Sequence, residues 1–249
     1  MSDKLVIKKL VTPWPDIKGY TFIIPSVCVG NVGQLAMDLL ISTLETVKIG
    51  ILHHPALLPI VGYDPYNNKS TEISTAADLH LCKDKKVVLL QIRSPLIKVE
   101  KESFLRELSS WVSDCAFSSA IVLSSSHAQL RFDAQMIGSQ FRYICNEFQH
   151  PDIDRLREVG GIEMEEREDE YGVKKRRLPG GGFALKFLTL SKIPTVVLTK
   201  FVDEGDNTND ALSVVAFLNN WAQYLESPKW KKPFSWKNLF GAPPPLALY

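Results

Sequence analysis

Ser124-Ser125-Ser126-His127 is the densest grouping of nucleophile and base in this 249-residue chain. A serine hydrolase of α/β type holds its serine on a strained elbow, G-x-S-x-G, whose glycines permit the turn. No glycine flanks these serines, so they read as helix-capping and turn-bonding hydroxyls. Gly30-Asn31-Val32-Gly33 offers a turn where a phosphate could rest on a helix N-terminus. It lacks the third glycine of the dinucleotide fingerprint and reads as a tight turn with close helix–sheet packing. No Gly-Lys dipeptide occurs in the chain, which excludes a Walker A loop.

The remaining candidates are equally incomplete. His53 and His54 are adjacent, with no Cys, Asp or Glu at metal-ligand spacing, and read as loop or core residues. Asp203, Glu204 and Asp206 could gather a Mg²⁺ ion, but acids opening a helix explain them more simply. The basic run Lys174–Arg177 has the composition of a nuclear import signal and, equally, of a solvated loop face. Pro179-Gly180-Gly181-Gly182 could cradle an anion, yet neither a helix cap nor a lysine follows in the phosphate-loop pattern. It reads as a flexible hinge. No catalytic residue, cofactor site or metal site is expected from these motifs.

The elements that would position such groups are easier to read. Gly19 to Val29 has strand character, Gln34 to Val47 carries Leu35, Leu39, Leu40, Leu44 and Val47 at helical spacing, and Lys48–Leu52 resumes a strand. That is a β-α-β unit. Val87–Ile92, Ile121–Leu123 and Thr195–Leu198 are unbroken apolar runs, as expected of strands buried on both faces. Helices are expected around Phe104–Cys115, with Ser103 before it, and after Asp206-Asn207-Thr208, which offer N-caps. The fold class is therefore α/β, a single doubly wound, mostly parallel sheet flanked by helices, over residues 1–226. Two segments interrupt it. Asp64–Ala77 is polar and reads as an excursion or edge hairpin, and residues 149–182 form a charged insertion expected to be mobile or partly helical. Residues 227–249 form a C-terminal extension rich in Pro and Trp.

Composition narrows the function classes. With 45% hydrophobic and 23% charged residues the chain is ordinary globular protein. A formal charge of +1 supplies no bulk field toward nucleic acid or acidic lipid. Cys28, Cys82, Cys115 and Cys145 are too sparse for a disulfide framework, no apolar run reaches membrane-spanning length, and no signal-peptide pattern opens the chain. A soluble intracellular protein is expected, in which the Asn68-Lys69-Ser70 sequon is a chance match.

Taken in order, the motifs resemble the proteasome assembly chaperone family. They are Val29–Leu39, Leu90–Ser94, Val122–His127, Pro179–Gly182, Lys200–Asn207 with Asp210-Ala211-Leu212, and then Trp230, Pro233, Ser235-Trp236 and Leu239-Phe240-Gly241. The resemblance implies a non-catalytic, ATP-independent chaperone of cytoplasm and nucleus, without cofactor. It implies a heterodimer with proteasome assembly chaperone 1 that binds proteasome α subunits, promotes the heptameric α-ring and blocks ring dimerisation. It also implies docking of the C-terminal end, Leu246, Ala247, Leu248 and Tyr249, between α subunits. Tails of this kind follow a hydrophobic–Tyr–any pattern, whereas here the aromatic Tyr249 is terminal. The alternative is a nucleoside- or nucleotide-acting α/β enzyme of phosphorylase-like fold, with Ser126, His127 and Asp203 lining its pocket.

Overall fold

The computed structural model describes residues 4–168 and 171–238. An edge strand, β1 (Val6–Lys9), precedes the first central strand, β2 (Thr21–Pro25). A 3-10 turn over Val29–Asn31 leads into α1 (Val32–Thr43), which is followed by β3 (Val47–His53). The polar excursion holds a small antiparallel hairpin of β4 (Val61–Tyr63) and β5 (Ile73–Thr75). Next come β6 (Ala77–Cys82), β7 (Val87–Ile92), α2 (Lys101–Asp114) and β8 (Ser119–His127). A short α3 (Asp133–Met136), β9 (Phe141–Cys145), α4 (Ile153–Glu158) and β10 (Ile162–Glu163) follow. The hairpin strands β11 (Glu166–Glu168) and β12 (Lys174–Arg176) precede α5 (Gly182–Leu190), β13 (Thr195–Val202) and α6 (Thr208–Ala222).

Nine strands form the main sheet in the order β1-β3-β6-β7-β2-β8-β13-β9-β10. Its centre, β7-β2-β8-β13, is parallel. The β6, β3 and β1 flank is antiparallel, and on the other side β9 runs antiparallel to β13 with β10 parallel to β9. The expected parallel, doubly wound sheet is this centre. The expected β-α-β unit is split: β2 and β3 point the same way, but the β6–β7 hairpin stands between them.

Alternation along the central strands separates two cores. Phe22, Ile24, Val88, Leu90, Ala120 and Val122 face α2 and α5. Ile23, Val87, Leu89, Ile121 and Leu123 face α1 and α6. Both faces of β7 are buried along its whole length, which is why its sequence is unbroken apolar rather than alternating.

The charged 149–182 segment is built into this frame. Ile153 and Leu156 of α4 join the α1/α6 core, while Met164 and Leu178 join the other. Its acidic and basic runs lie opposite each other, Glu166 beside Arg176 and Glu168 beside Lys174 across β11 and β12. The Lys174–Arg177 run, read as a loop face, is thus largely strand. The described part of the C-terminal extension is docked on the body. The Lys231 N–H donates to Thr43 Oγ1 at 3.0 Å and the Ser235 N–H to the Pro65 carbonyl at 3.0 Å. Trp230 and Trp236 pack against the α1/α6 core. All four cysteines are free of disulfides. Among the described residues, no helix is long and apolar enough to cross a membrane.

Candidate functional site

The carboxyl ends of β2, β8 and β13 are where an open α/β sheet usually places a ligand. Four of the singled-out motifs meet there, and they fill the position with protein. Gly33 opens α1 so close to β8 that a Cβ on it would lie 2.5 Å from the Leu123 carbonyl oxygen. Gly30, at φ +60°, lies against the Asn207 side chain, where a Cβ would come within 2.1 Å of Nδ2. Gly180 packs against Val29 and His127. The anticipated hinge is a close contact, and α5 begins directly after it at Gly182.

Ser124, Ser125 and Ser126 neither cap a helix nor bond a turn of their own; they are fully buried members of β8. Ser26 Oγ donates to Ser124 Oγ at 2.8 Å, Ser125 Oγ to the Val29 carbonyl at 2.5 Å, and Ser126 Oγ to the Pro179 carbonyl at 2.9 Å. The Ser125 and Ser126 hydroxyls satisfy main-chain oxygens that close packing removes from water, while those of Ser26 and Ser124 pair with each other. The Ser126 proton is committed to Pro179 and not to His127, so the pair lacks the hydrogen bond that activates a nucleophile.

Beside this plug lies a shallow hollow of about 340 Å³, lined in part by Arg131, Asp203, Glu204, Asp206 and Asp210. Lys200 Nζ is 2.6 Å from Asp210 Oδ1. Asp206 accepts from the Thr208 hydroxyl at 2.7 Å and the Thr208 N–H at 3.0 Å, which holds its carboxyl below the ordinary carboxylate range. It does so from the turn before α6, the helix-opening role expected of these acids; neighbouring Asn207 makes no side-chain cap. Four carboxylates around the hollow are poor company for a phosphate. Elsewhere, His54 is fully buried in the core, its Nδ1 accepting from the Ala56 N–H at 3.0 Å and its ring 5.3 Å from that of Phe104.

A second cluster was not anticipated. Asp38, 4% exposed in the apolar run of α1, accepts from Gln91 Nε2 at 2.7 Å, Arg93 Nη2 at 2.6 Å and Tyr66 OH at 2.9 Å. Burial and the Asp38 charge raise the Tyr66 pKa, so its hydroxyl stays a donor. Burial alone would lower the Arg93 pKa, but the Asp38 carboxylate outweighs it and the guanidinium stays charged. Arg93 Nε also donates to Ser74 Oγ at 3.2 Å, and Ser74 Oγ to Asp78 Oδ2 at 3.0 Å. Lys48 Nζ reaches Asp78 Oδ1 at 2.8 Å. Burial opposes ionisation of Asp78, yet the bonds from Lys48 and Thr75 prevail and lower its pKa. The network ties α1, the end of β7 and the β4–β5 hairpin together. Its sequence signal was an acid inside an apolar stripe, together with the Gln91 and Arg93 that bracket Ile92.

Residues 22–229 match the model of the PAC2 family. The chain belongs to the PAC2 family. Human proteasome assembly chaperone 2 is 39% identical over 258 residues, spanning 94% of this chain and 97% of its own length. The protein of that name from Danio rerio is 37% identical and spans 94% and 96%. The one from Nematostella vectensis is 33% identical and spans 84% and 91%. In fold, the chain is similar to Pyrococcus furiosus PbaA, described as an archaeal homolog of proteasome-assembly chaperone. That match has a TM-score of 0.63 at 15% identity and covers 90% of this chain and 88% of PbaA. PbaB, described as an archaeal proteasome activator, matches with a TM-score of 0.57 at 16% identity, covering 90% and 91%. In this PAC2-family chain, the motifs from Val29 to Asn207 that carried the resemblance meet mainly at the strand-end plug and the Asp38 network, and Trp230 and Trp236 pack against the α1/α6 core. Leu239-Phe240-Gly241 lies outside the described residues. Leu246, Ala247, Leu248 and Tyr249 lie outside the described residues.

Proposed function

We propose that this protein is a non-catalytic chaperone of proteasome assembly, acting in cytoplasm and nucleus as a heterodimer with proteasome assembly chaperone 1. The heterodimer binds α subunits, promotes the α-ring and blocks its dimerisation. The observation that carries this reading is end-to-end similarity to proteins named proteasome assembly chaperone 2. The packing agrees with it: the strand ends hold serines bonded to main-chain carbonyls rather than a reaction cavity. The nucleoside-enzyme alternative needs a phosphate-binding set near Ser126, His127 and Asp203, and the neighbouring hollow presents carboxylates instead.

The tail Leu246-Ala247-Leu248-Tyr249 supplies the docking end in this proposal. Pro243-Pro244-Pro245 before it favours an extended polyproline rod, which lowers the ordering cost of docking. An apolar slot beside a cation would receive the apolar side chains and the terminal carboxylate. Co-expression with proteasome assembly chaperone 1 and isolated α subunits, followed by native mass measurement, is the test. The expected species are the heterodimer and its α-subunit complexes. Deleting Leu248 and Tyr249 should weaken α-subunit binding at least tenfold and leave the heterodimer intact. Native-strength binding by the truncated chain would refute tail docking, and saturable nucleoside cleavage abolished by His127→Ala would refute the non-catalytic reading.

A further inference from the structure

The β4–β5 hairpin is amphipathic in an inverted sense. Gly62 stands opposite Ser74, and Tyr63 opposite Ile73. Ser74 is buried and turns inward onto the polar network, bonded to Arg93 and Asp78. Val61, Tyr63 and Ile73 are instead turned to solvent, 71%, 94% and 54% exposed. Ile60 and Leu58, in the segment before β4, are also exposed, at 43% and 42%. Val61, Tyr63 and Ile73 alone expose on the order of 400 Å² of surface, most of it apolar, a patch size often functional on a monomer. A hairpin serving only its own domain would place these side chains inward and the serine outward.

The face is also held rigid. Lys48 Nζ donates to the Ile73 carbonyl at 2.8 Å, and the Thr75 N–H and hydroxyl both donate to Asp78, at 2.9 and 2.6 Å. Presenting a fixed apolar face costs little ordering on binding.

What covers it follows from where the described chain ends. The 3-10 turn Phe234–Asn238 is pinned by the bond from the Ser235 N–H to the carbonyl of Pro65, two residues beyond Tyr63. The final eleven residues, 239–249, therefore leave from beside the hairpin, with a reach of at most about 36–40 Å when extended. A body that takes the tail is thereby tethered within that reach of Val61 and Tyr63.

We propose that the apolar face of the β4–β5 hairpin is a second contact with the α subunit that receives the C-terminal tail. Tail and hairpin then act as two linked sites, each raising the local concentration of the other. This rests on the α-subunit reading above. Its occupant is an apolar patch on an α subunit next to the tail's pocket.

The test uses the full chain co-expressed with proteasome assembly chaperone 1. In the V61E/Y63S variant the heterodimer should form with native mass and native melting temperature, while its α-subunit affinity falls at least tenfold. The milder V61T/Y63S variant serves if the first does not fold, and should weaken binding at least threefold. Native affinity in the folded variant overturns the inference. So does loss of the heterodimer with α-subunit binding falling only in proportion, because the partner chaperone would then be the occupant. A native heterodimer that binds no α subunit refutes the function itself. Intact α-subunit binding with an indifferent hairpin refutes only this inference.

Discussion

Replacing Arg93 with Met removes the cation from the Asp38 network while keeping an unbranched side chain of similar length. Asp38 is buried and accepts both Arg93 nitrogens, at 2.6 and 3.4 Å, beside Gln91 and Tyr66. Removing one member of a buried ion pair costs about 3–5 kcal/mol, because the other charge is left uncompensated. Two discounts apply. The Arg93 side chain is 23% exposed, so part of its charge already faces water. Gln91 and Tyr66 also continue to donate to the carboxylate. The expected loss is about 2–3 kcal/mol. At ~2–4 °C per kcal/mol for a chain of this size, the melting temperature should fall by roughly 4–12 °C. Thermal melting by circular dichroism with urea titration reads this directly. The double variant D38L/R93M removes both charges and should recover much of the loss. Because Arg93 also holds Ser74, proteolysis within residues 61–75 should accelerate in R93M. A single variant within 0.5 kcal/mol of native, or a double variant as unstable as the summed singles, refutes the reasoning.

Gly33→Ala forces a Cβ toward the Leu123 carbonyl. Overpacking should cost about 1–3 kcal/mol, partly offset by alanine's better helix propensity of up to about 1 kcal/mol; equal or higher stability in a melt would contradict the close-approach argument. His80, whose ring lies 5.7 Å from that of Tyr66, has its pKa pushed down to about 4, chiefly by burial. The unfolded chain binds this proton near pH 6.5, so the contribution of His80 is complete above that and is lost as pH falls toward 4, on the order of 3 kcal/mol in all. His150, whose pKa burial also lowers, adds slope of the same sign, so His80→Gln should flatten the stability–pH curve between 6.5 and 4 without levelling it. An unchanged slope in urea titrations across that range would exclude His80 as its source.

Strands buried on both faces were legible because no charge interrupts them: Val87–Ile92 coincides with β7. The flanking strands were obscured by polar side chains that the fold satisfies at a distance. β6 contains Asp78 and His80, paired with Lys48 and Tyr66. β9 contains the buried Arg142, whose Nε is 2.8 Å from Glu165 Oε1. The β8 serines misled for the same reason, since a hydroxyl run reads as a cap until the carbonyls it meets are known. Those carbonyls, Val29 and Pro179, are 96 and 53 residues away from their donors. The motifs themselves were visible, but their meeting at one sheet end was not, nor was the bond between Asp38 and an arginine 55 residues downstream.

The strand order sets a timetable for synthesis. β2 emerges early, yet both its neighbours come later, and its contacts with β8 span about 98 residues. β8 in turn waits about 75 residues more for β13. At 5–20 residues per second, the first central strand stands without its β8 neighbour for about 5–20 s. The α1 face gains its α6 cover only after residues 208–222 have been made. Nascent chains of this protein must therefore carry an apolar central strand with one unpaired edge, first β2 and then β8, until β13 is made, with pairing of high contact order and slow closure. Ribosome-bound chains halted before residue 195 should stay protease-sensitive throughout, and protection should arrive in one step once β13 and α6 have cleared the exit tunnel.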